Sequence, residues 1–302
     1  MSRARPVLPG AVLFNTRRVH KRQFLLRPSK ELSQLLAYII AVYAERHDIL
    51  LHALCVMSNH WHNALTDPRG HIVDFERDVH ACIARAVNAM HNDSEGFWAK
   101  EQSCRVECAE PEDALDKIVY TMANPVEAGL VAHGDDWPGL RRAWGMKPLT
   151  IKRPEFFFRG EGDGGSWPEE VTLQLHRPPG FDHLDDDELA AALSDLIEDR
   201  EQKARDTIRK AGKNFIGRRL VQRQSRYAYA CSDEPRGSLK PRVSARSKWA
   251  RIEALQRSEA WLEAYEDAKQ RFLAGDRDAR FPYGTWKLRR YYRCLCDPPP
   301  GT

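Results

Sequence analysis

The sequence predicts an α+β fold: an antiparallel sheet with helices packed on it, followed by a mainly helical, basic extension. Three observations carry this reading. Apolar residues recur at helical spacing over residues 31–47 and again over 74–92. Between them, residues 50–56 and 60–67 are β-tolerant runs joined through Ser58-Asn59, which is turn chemistry, so they read as a hairpin. The resulting order of strand, helix, hairpin, helix, strand, helix suits one sheet covered by helices.

Taken in order, residues 7–26 read as an extended opening with a bend, from Val12-Leu13-Phe14 through basic Arg17-Arg18 to Phe24-Leu25-Leu26. Ser29 offers an N-cap to the helix of residues 31–47, whose apolar positions include Leu32, Leu35, Leu36, Ile39, Ile40 and Tyr43. After the hairpin, Asp67-Pro68-Arg69-Gly70 turns the chain into the helix of residues 74–92, with Phe75, Val79, Ile83 and Val87 along one face. Residues 103–108 form a short strand. From Pro111 the pattern is helical again, with Glu112 and Asp113 in the first turn, where the helix dipole favours them. Pro125 should end this helix at Asn124, because the residue before a proline is pushed out of the α region. Residues 126–131 then form a further short helical turn. Beyond Trp144, residues 151–160 and 167–178 are strand candidates and residues 185–206 are a helix. Residues 212–241 are basic and turn-rich, and residues 248–274 and 288–295 are helices.

At 302 residues and 34.7 kDa, the chain is long enough for one large domain or two modest ones. Its 42% hydrophobic and 30% charged composition is that of a soluble globular protein. With no apolar run of about 18 residues, no membrane span is expected. The basic start is not followed by an apolar core and cleavage site, so no secretory signal is expected either. Seven cysteines are scattered at positions 55, 82, 104, 108, 231, 294 and 296 without C-x-x-C spacing, which fits reduced thiols in a cytoplasmic protein better than zinc. The net charge of +4 conceals a strong local bias. Residues 203–251 hold fifteen Lys and Arg against three acidic residues, enough to attract a polyanion, while residues 161–199 are dominated by Asp and Glu.

The chemistry gathers at two places. On a strand, alternate residues share a face, so His60 and His62 present two imidazoles together while Trp61 turns to the core. Alone, such a pair is also what a partly exposed strand shows. On the helix beginning at Pro111, Tyr120 and Asn124 are four residues apart and share a face. A tyrosine oxygen can attack a phosphodiester and hold it as a phosphotyrosine. Its ordinary pKa near ~10 calls for a cation on the phosphate. Two imidazoles and one amide oxygen, from Asn124, would make a three-ligand site with open positions.

His60-Trp61-His62 is an HUH motif, two histidines around a hydrophobic residue. The blocks Val56-Met57-Ser58-Asn59-His60-Trp61-His62 and Tyr120-Thr121-Met122-Ala123-Asn124-Pro125-Val126-Glu127-Ala128-Gly129-Leu130-Val131 together resemble the single-tyrosine HUH transposases. The likeness is in particular to the REP-associated tyrosine transposases, over about residues 7–145. The resemblance implies an RRM-like, ferredoxin-like sheet with the HUH pair on a central strand and the tyrosine on a following helix. It also implies cleavage of single-stranded DNA with Mg²⁺ or Mn²⁺, leaving a 5′-phosphotyrosine link and a free 3′-hydroxyl, with rejoining by the reverse attack. By position, His60 and His62 are metal ligands, Tyr120 is the nucleophile and Asn124 is the third ligand. The sequence departs from the family at bulky Trp61, at Asn63-Ala64, where aliphatic residues are usual, and in its long C-terminal extension.

The expected function is therefore that of a metal-dependent endonuclease and strand transferase acting at hairpin-forming DNA. The expected partner is single-stranded or hairpin DNA, the expected state a monomer or homodimer, and the expected location cytoplasmic and nucleoid-associated. A retired transposase that only binds DNA and regulates is the alternative, but it has no need of His60, His62 and Tyr120. An RNA-binding protein would call for a base-stacking aromatic signature that the sequence lacks. The expected division is a transposase-like domain over residues 1–147, an acidic connecting region over 148–200 and a basic extension over 201–302. The extension is expected to act as an accessory grip on DNA. Expected DNA contacts are Arg17, Arg18, Lys213, Arg218, Arg219, Arg223, Arg226 and Tyr227.

Overall fold

A computed structural model describes residues 4–157, 167–230 and 242–299. Strand β1 (Ala11–Arg18) leads through a 3-10 turn at His20–Arg22 into helix α1 (Lys30–Arg46). Strands β2 (Leu50–Val56) and β3 (His60–Asp67) form the hairpin, and α2 (Ile72–Met90), β4 (Cys104–Cys108) and α3 (Pro111–Glu127) follow. Ser29 caps α1, its hydroxyl accepting from the Leu32 amide at 3.1 Å. The four strands stand in the order β2-β3-β1-β4, the arrangement of a ferredoxin-like βαββαβ unit.

Two further strands extend this sheet to six. Strand β5 (Arg141–Ala143) pairs antiparallel with β2, and β8 (Val243–Ser244) pairs parallel with β4. The sheet is thus mixed, not purely antiparallel. Short β8 arrives from the C-terminal region in the same direction as β4, and nothing in the local sequence fixes that direction.

Side-chain alternation divides the sheet into two faces. Leu13, Trp61 and Leu65 join the main core with α1 and α2. The opposite face carries α3. A row running straight across the strands reads Ala143, Ala53, Ala64, Phe14 and Val106, each directly opposite the next. Ile118, Val119 and Met122 of α3 pack onto the three alanines. Alanine at these positions removes the bulk that would hold the helix away, which gives Ala64 a physical role.

Helix α3 also corrects an expectation. It does not stop at Asn124 but runs through Pro125 to Glu127, merging with the expected turn at residues 126–131. Proline removes one backbone bond near the end of a helix, and here burial of Asn124, Pro125 and Val126 outweighs that loss. The actual stop is Gly129, at φ +69°, where the Leu130 amide returns to the Pro125 carbonyl at 3.0 Å.

Other boundaries moved as well. The opening strand spans only Ala11–Arg18, because Lys21 and Arg22 turn with φ of 50° and 57°. The two strand candidates beyond Trp144 shrink to a hairpin of β6 (Leu149–Lys152) and β7 (Glu170–Leu173). Residues 158–160 of the first candidate lie outside the described residues, as do residues 231–241 of the basic, turn-rich stretch. The core runs past residue 147: Ile151, Phe157, Trp167, Val171 and Leu173 pack in it with α1.

Helix α4 (Asp186–Lys210) lies along α3, with Leu193 among the residues packed on Ile118 and Met122. Asp185 and Glu188 form a capping box at its start. Buried Glu201 fixes its position. One carboxylate oxygen accepts from the Gly134 amide at 3.0 Å and the other pairs with Arg141 at 3.0 Å, while Arg205 lies 3.6 Å away. Helices α5 (Arg218–Arg223), α6 (Lys248–Leu273) and α7 (Lys287–Tyr292) complete the chain. Phe281, Ala268 and Cys294 form a small separate core there. Among the described residues, no helix is long and apolar enough to cross a membrane.

Two outcomes test this packing. Ala53→Leu should force α3 off the sheet and lower stability by about 1–3 kcal/mol, read from the urea midpoint. Glu201→Ala should leave Arg141 with Asp135 and Arg205 with Glu198, but strip the Gly134 amide and one face of each guanidinium of their buried acceptor, and cost about 1–3 kcal/mol in the same measurement.

Candidate active site

Strand β3 delivers His60 and His62 to the face covered by α3, while Trp61 between them is buried in the core on the other side. In the sheet register His62 stands opposite Thr16 and Cys55, and His60 stands opposite Arg18. The two imidazole centroids are 4.5 Å apart. Phe14, one step along β1 from Thr16 on the same face, stacks on His62 at 5.3 Å. Tyr120 of α3 meets His62 edge-on at 5.3 Å and Phe14 edge-on at 5.7 Å. The histidine pair and the tyrosine, far apart in the chain, are therefore in contact. Asn124 sits one turn further along α3 and is buried.

The hydrogen bonds favour one tautomer. His60 Nδ1 is 2.6 Å from the Asn59 side-chain carbonyl oxygen, which can only accept, so Nδ1 carries the proton and Nε2 keeps its lone pair. His62 Nδ1 bonds the Thr16 hydroxyl at 2.8 Å, whereas its buried Nε2 has no hydrogen-bond partner. Burial pushes His60 down to about 4 and His62 well below the ordinary histidine range, with Arg18 adding to both shifts. Both rings are neutral at neutral pH. Neutral imidazoles with the far nitrogen bare and the near one held by a second group are what a divalent metal requires.

Cations cluster on the outer side of the tyrosine. The Arg200 guanidinium of α4 lies 5.1 Å from the Tyr120 ring centroid. It also bonds Asp116 at 3.3 Å and Glu127 at 2.7 Å. Arg246 reaches the same Asp116 oxygen at 3.3 Å, and Lys117 lies 5.9 Å from the Phe14 ring. Phe14, Thr16, Arg200 and Arg246 were not foreseen from the sequence. The register of β1 against β3 would have found the first two; no local signal marks the other two.

The expected DNA contacts are scattered. Arg18 is exposed beside His60. Arg17 points to the opposite face, where it bonds the Ala99 carbonyl at 3.1 Å, reaches the Glu101 carbonyl and lies over Trp98. Lys213, Arg218, Arg219 and Arg223 are exposed on α5 and the loop before it, which is tied to the end of α3 through Ile216 and Gly217 amides. Arg226 and exposed Tyr227 lie next along the chain. This segment reaches the histidine hairpin through one intermediary. Phe24 donates to the Ala228 carbonyl at 2.8 Å, and Leu26 and Val19 donate to Ser58 and Asn59 of the hairpin turn at 2.9 and 3.0 Å.

His52 and His133 lie in other surroundings. His52 is the extra residue of a bulge in β2 and donates to the His176 carbonyl at 2.8 Å. His133, Glu198 and Glu201 have ligand atoms within 4.8 Å of one another. There Arg205 already pairs with both carboxylates and Arg141 with Glu201, so the charge a metal would need is neutralised.

No family model matches the chain, and no curated protein matches it. Solved structures are similar to it in part, two of them as follows. One is a REP-associated tyrosine transposase bound to a REP hairpin, with 20% identity and a TM-score of 0.40, covering 46% of this chain and 81% of that one. The other is a candidate transposase from Deinococcus radiodurans R1, with 21% identity and a TM-score of 0.29, covering 35% of this chain and 85% of that one.

Proposed function

We propose that the chain is a metal-dependent endonuclease and strand transferase of single-stranded, hairpin-forming DNA. The observation that carries the reading is the contact of Tyr120 with His62, beside His60, on one face of the sheet. His60, His62 and Asn124 would hold Mg²⁺ or Mn²⁺, and the bare, buried Nε2 of His62 fits that role. When bound, the ion would supply Lewis-acid polarisation of the scissile phosphate.

The chain's own groups do the rest. Asn59 and Thr16 hold the imidazoles in one orientation, and Phe14 packs against both His62 and the nucleophile. The Tyr120 oxygen bonds to phosphorus as the P–O3′ bond breaks. The phenolic proton is lost, and the departing 3′ oxygen takes one up. A 5′-phosphotyrosine and a 3′-hydroxyl result, and attack by a 3′-hydroxyl reverses the step. One chain supplies both histidines and the tyrosine, so a monomer contains the whole cluster. Exposed Arg18, the cations of residues 213–226 and exposed Tyr227 and Tyr229 offer phosphate and base contacts around it.

Incubation with hairpin-bearing single-stranded DNA and Mn²⁺ should give a covalent protein–DNA adduct on a denaturing gel. His60→Ala, His62→Ala and EDTA should each abolish it, and Tyr120→Phe should abolish it while leaving DNA binding intact. An adduct that survives in the phenylalanine variant would sink the assignment of the nucleophile. Asn124→Ala should weaken Mn²⁺ affinity more than DNA affinity.

The arginines and the tyrosine of the surface should separate in a salt titration. Replacing Arg218, Arg219 and Arg223 by alanine should flatten the dependence of affinity on salt, by about 0.7 in slope for each phosphate no longer neutralised. Tyr227→Ala should weaken binding by roughly 1–3 kcal/mol with the slope unchanged. Unaltered slopes in the arginine variant would place the DNA elsewhere.

A further inference from the structure

Helix α4 lies outside the segment that resembles the transposases, yet it contributes a side chain to the nucleophile. Asp116, Tyr120 and Glu127 lie at helical spacings on α3, four and then seven residues apart, and so share a face. Arg200 lies lengthwise over that face, bonded at one end to Asp116 at 3.3 Å and at the other to Glu127 at 2.7 Å. Its guanidinium carbon is 5.1 Å from the Tyr120 centroid between them. Phe14 and His62 approach the same ring edge-on from the sheet, so the tyrosine is held between the sheet and a cation. The next residue, Glu201, is locked to Gly134 and Arg141 and sets where α4 rests along α3.

We infer that Arg200 is a positioning residue for the proposed cleavage, holding the Tyr120 ring against the histidine pair so that its oxygen meets the phosphate. A planar guanidinium suits this task because it donates in its plane to two carboxylates while presenting its face to an aromatic ring. A lysine could keep one ion pair but not the planar cover. The inference rests on the proposed function, and it makes α4 part of the active centre instead of a connecting region. A plain interhelical ion pair would look similar in the static structure but would affect only stability.

The test uses the full-length chain with Arg200→Met and Arg200→Lys. At saturating hairpin DNA and Mn²⁺, the methionine variant should form adduct about 30-fold more slowly or worse. Its DNA and Mn²⁺ dissociation constants should stay within about threefold of wild type, and the lysine variant should recover part of the rate. A rate within threefold of wild type for the methionine variant overturns the inference, as does a loss wholly explained by weaker DNA or metal binding. A second readout needs no cleavage. In chain labelled at tyrosine ring carbons, with Tyr120→Phe assigning the signal, Arg200→Met should move the Tyr120 resonance and speed its ring flips at least tenfold. An unmoved resonance with unchanged flipping overturns the inference even if wild type cleaves. A moved resonance in a wild type that forms no adduct overturns the proposed function and leaves the positioning of the ring standing.

Discussion

The distance between the sheet and α3 governs this molecule. Ala143, Ala53 and Ala64, opposed in three neighbouring strands, give the helix a floor of methyl groups. Next in the same row, Phe14 rises where the alanines end and touches both His62 and Tyr120. Small residues under the middle of the helix and a large ring at its edge together decide where Tyr120 stands. Because protein interiors are close-packed, a bulkier residue in that floor would shift α3 and with it Tyr120.

The electrostatics follow from the same placement. Covering one face of the sheet with α3 buries His62 and leaves His60 half-buried beside it, and desolvation of an imidazole disfavours its charged form. Nearby arginines push the same way. Two neutral rings then stand beside exposed Arg18, while Asp116 and Glu127 balance the charges of Lys117, Arg200 and Arg246. Asp116 gathers Arg200 and Arg246 and fixes them near the tyrosine.

The region beyond residue 147 is built into this arrangement. The β6–β7 hairpin shares the main core with α1, α4 is clamped along α3 by Glu201, and β8 pairs with β4. Pairing of β4 with β8 also shields an edge that would otherwise expose unpaired backbone groups. The segment near Tyr227 and Tyr229 crosses the loop after β1 and so reaches the histidine turn indirectly.

The sequence by itself determined what is local. Alternation on β3 told that His60 and His62 share a face with Trp61 opposed, because strand period depends only on backbone geometry. Helical spacing located α1, α2 and α4, and the i, i+4 rule paired Tyr120 with Asn124. Only the tertiary structure decided the rest. Pro125 reads locally as a stop, but burial of Val126 and its neighbours carried the helix past it. Thr16 and Phe14 gained their roles from the register of β1 against β3, which depends on pairing partners far apart in the chain. Arg17 and Arg18 look alike in sequence, yet neighbours on a strand face opposite ways, and one ended beside Trp98 while the other faces the site. Arg200 reached Tyr120 because Glu201 fixes the placement of α4. A helical period reports which face of a helix is buried; it carries no information about where that helix will lie.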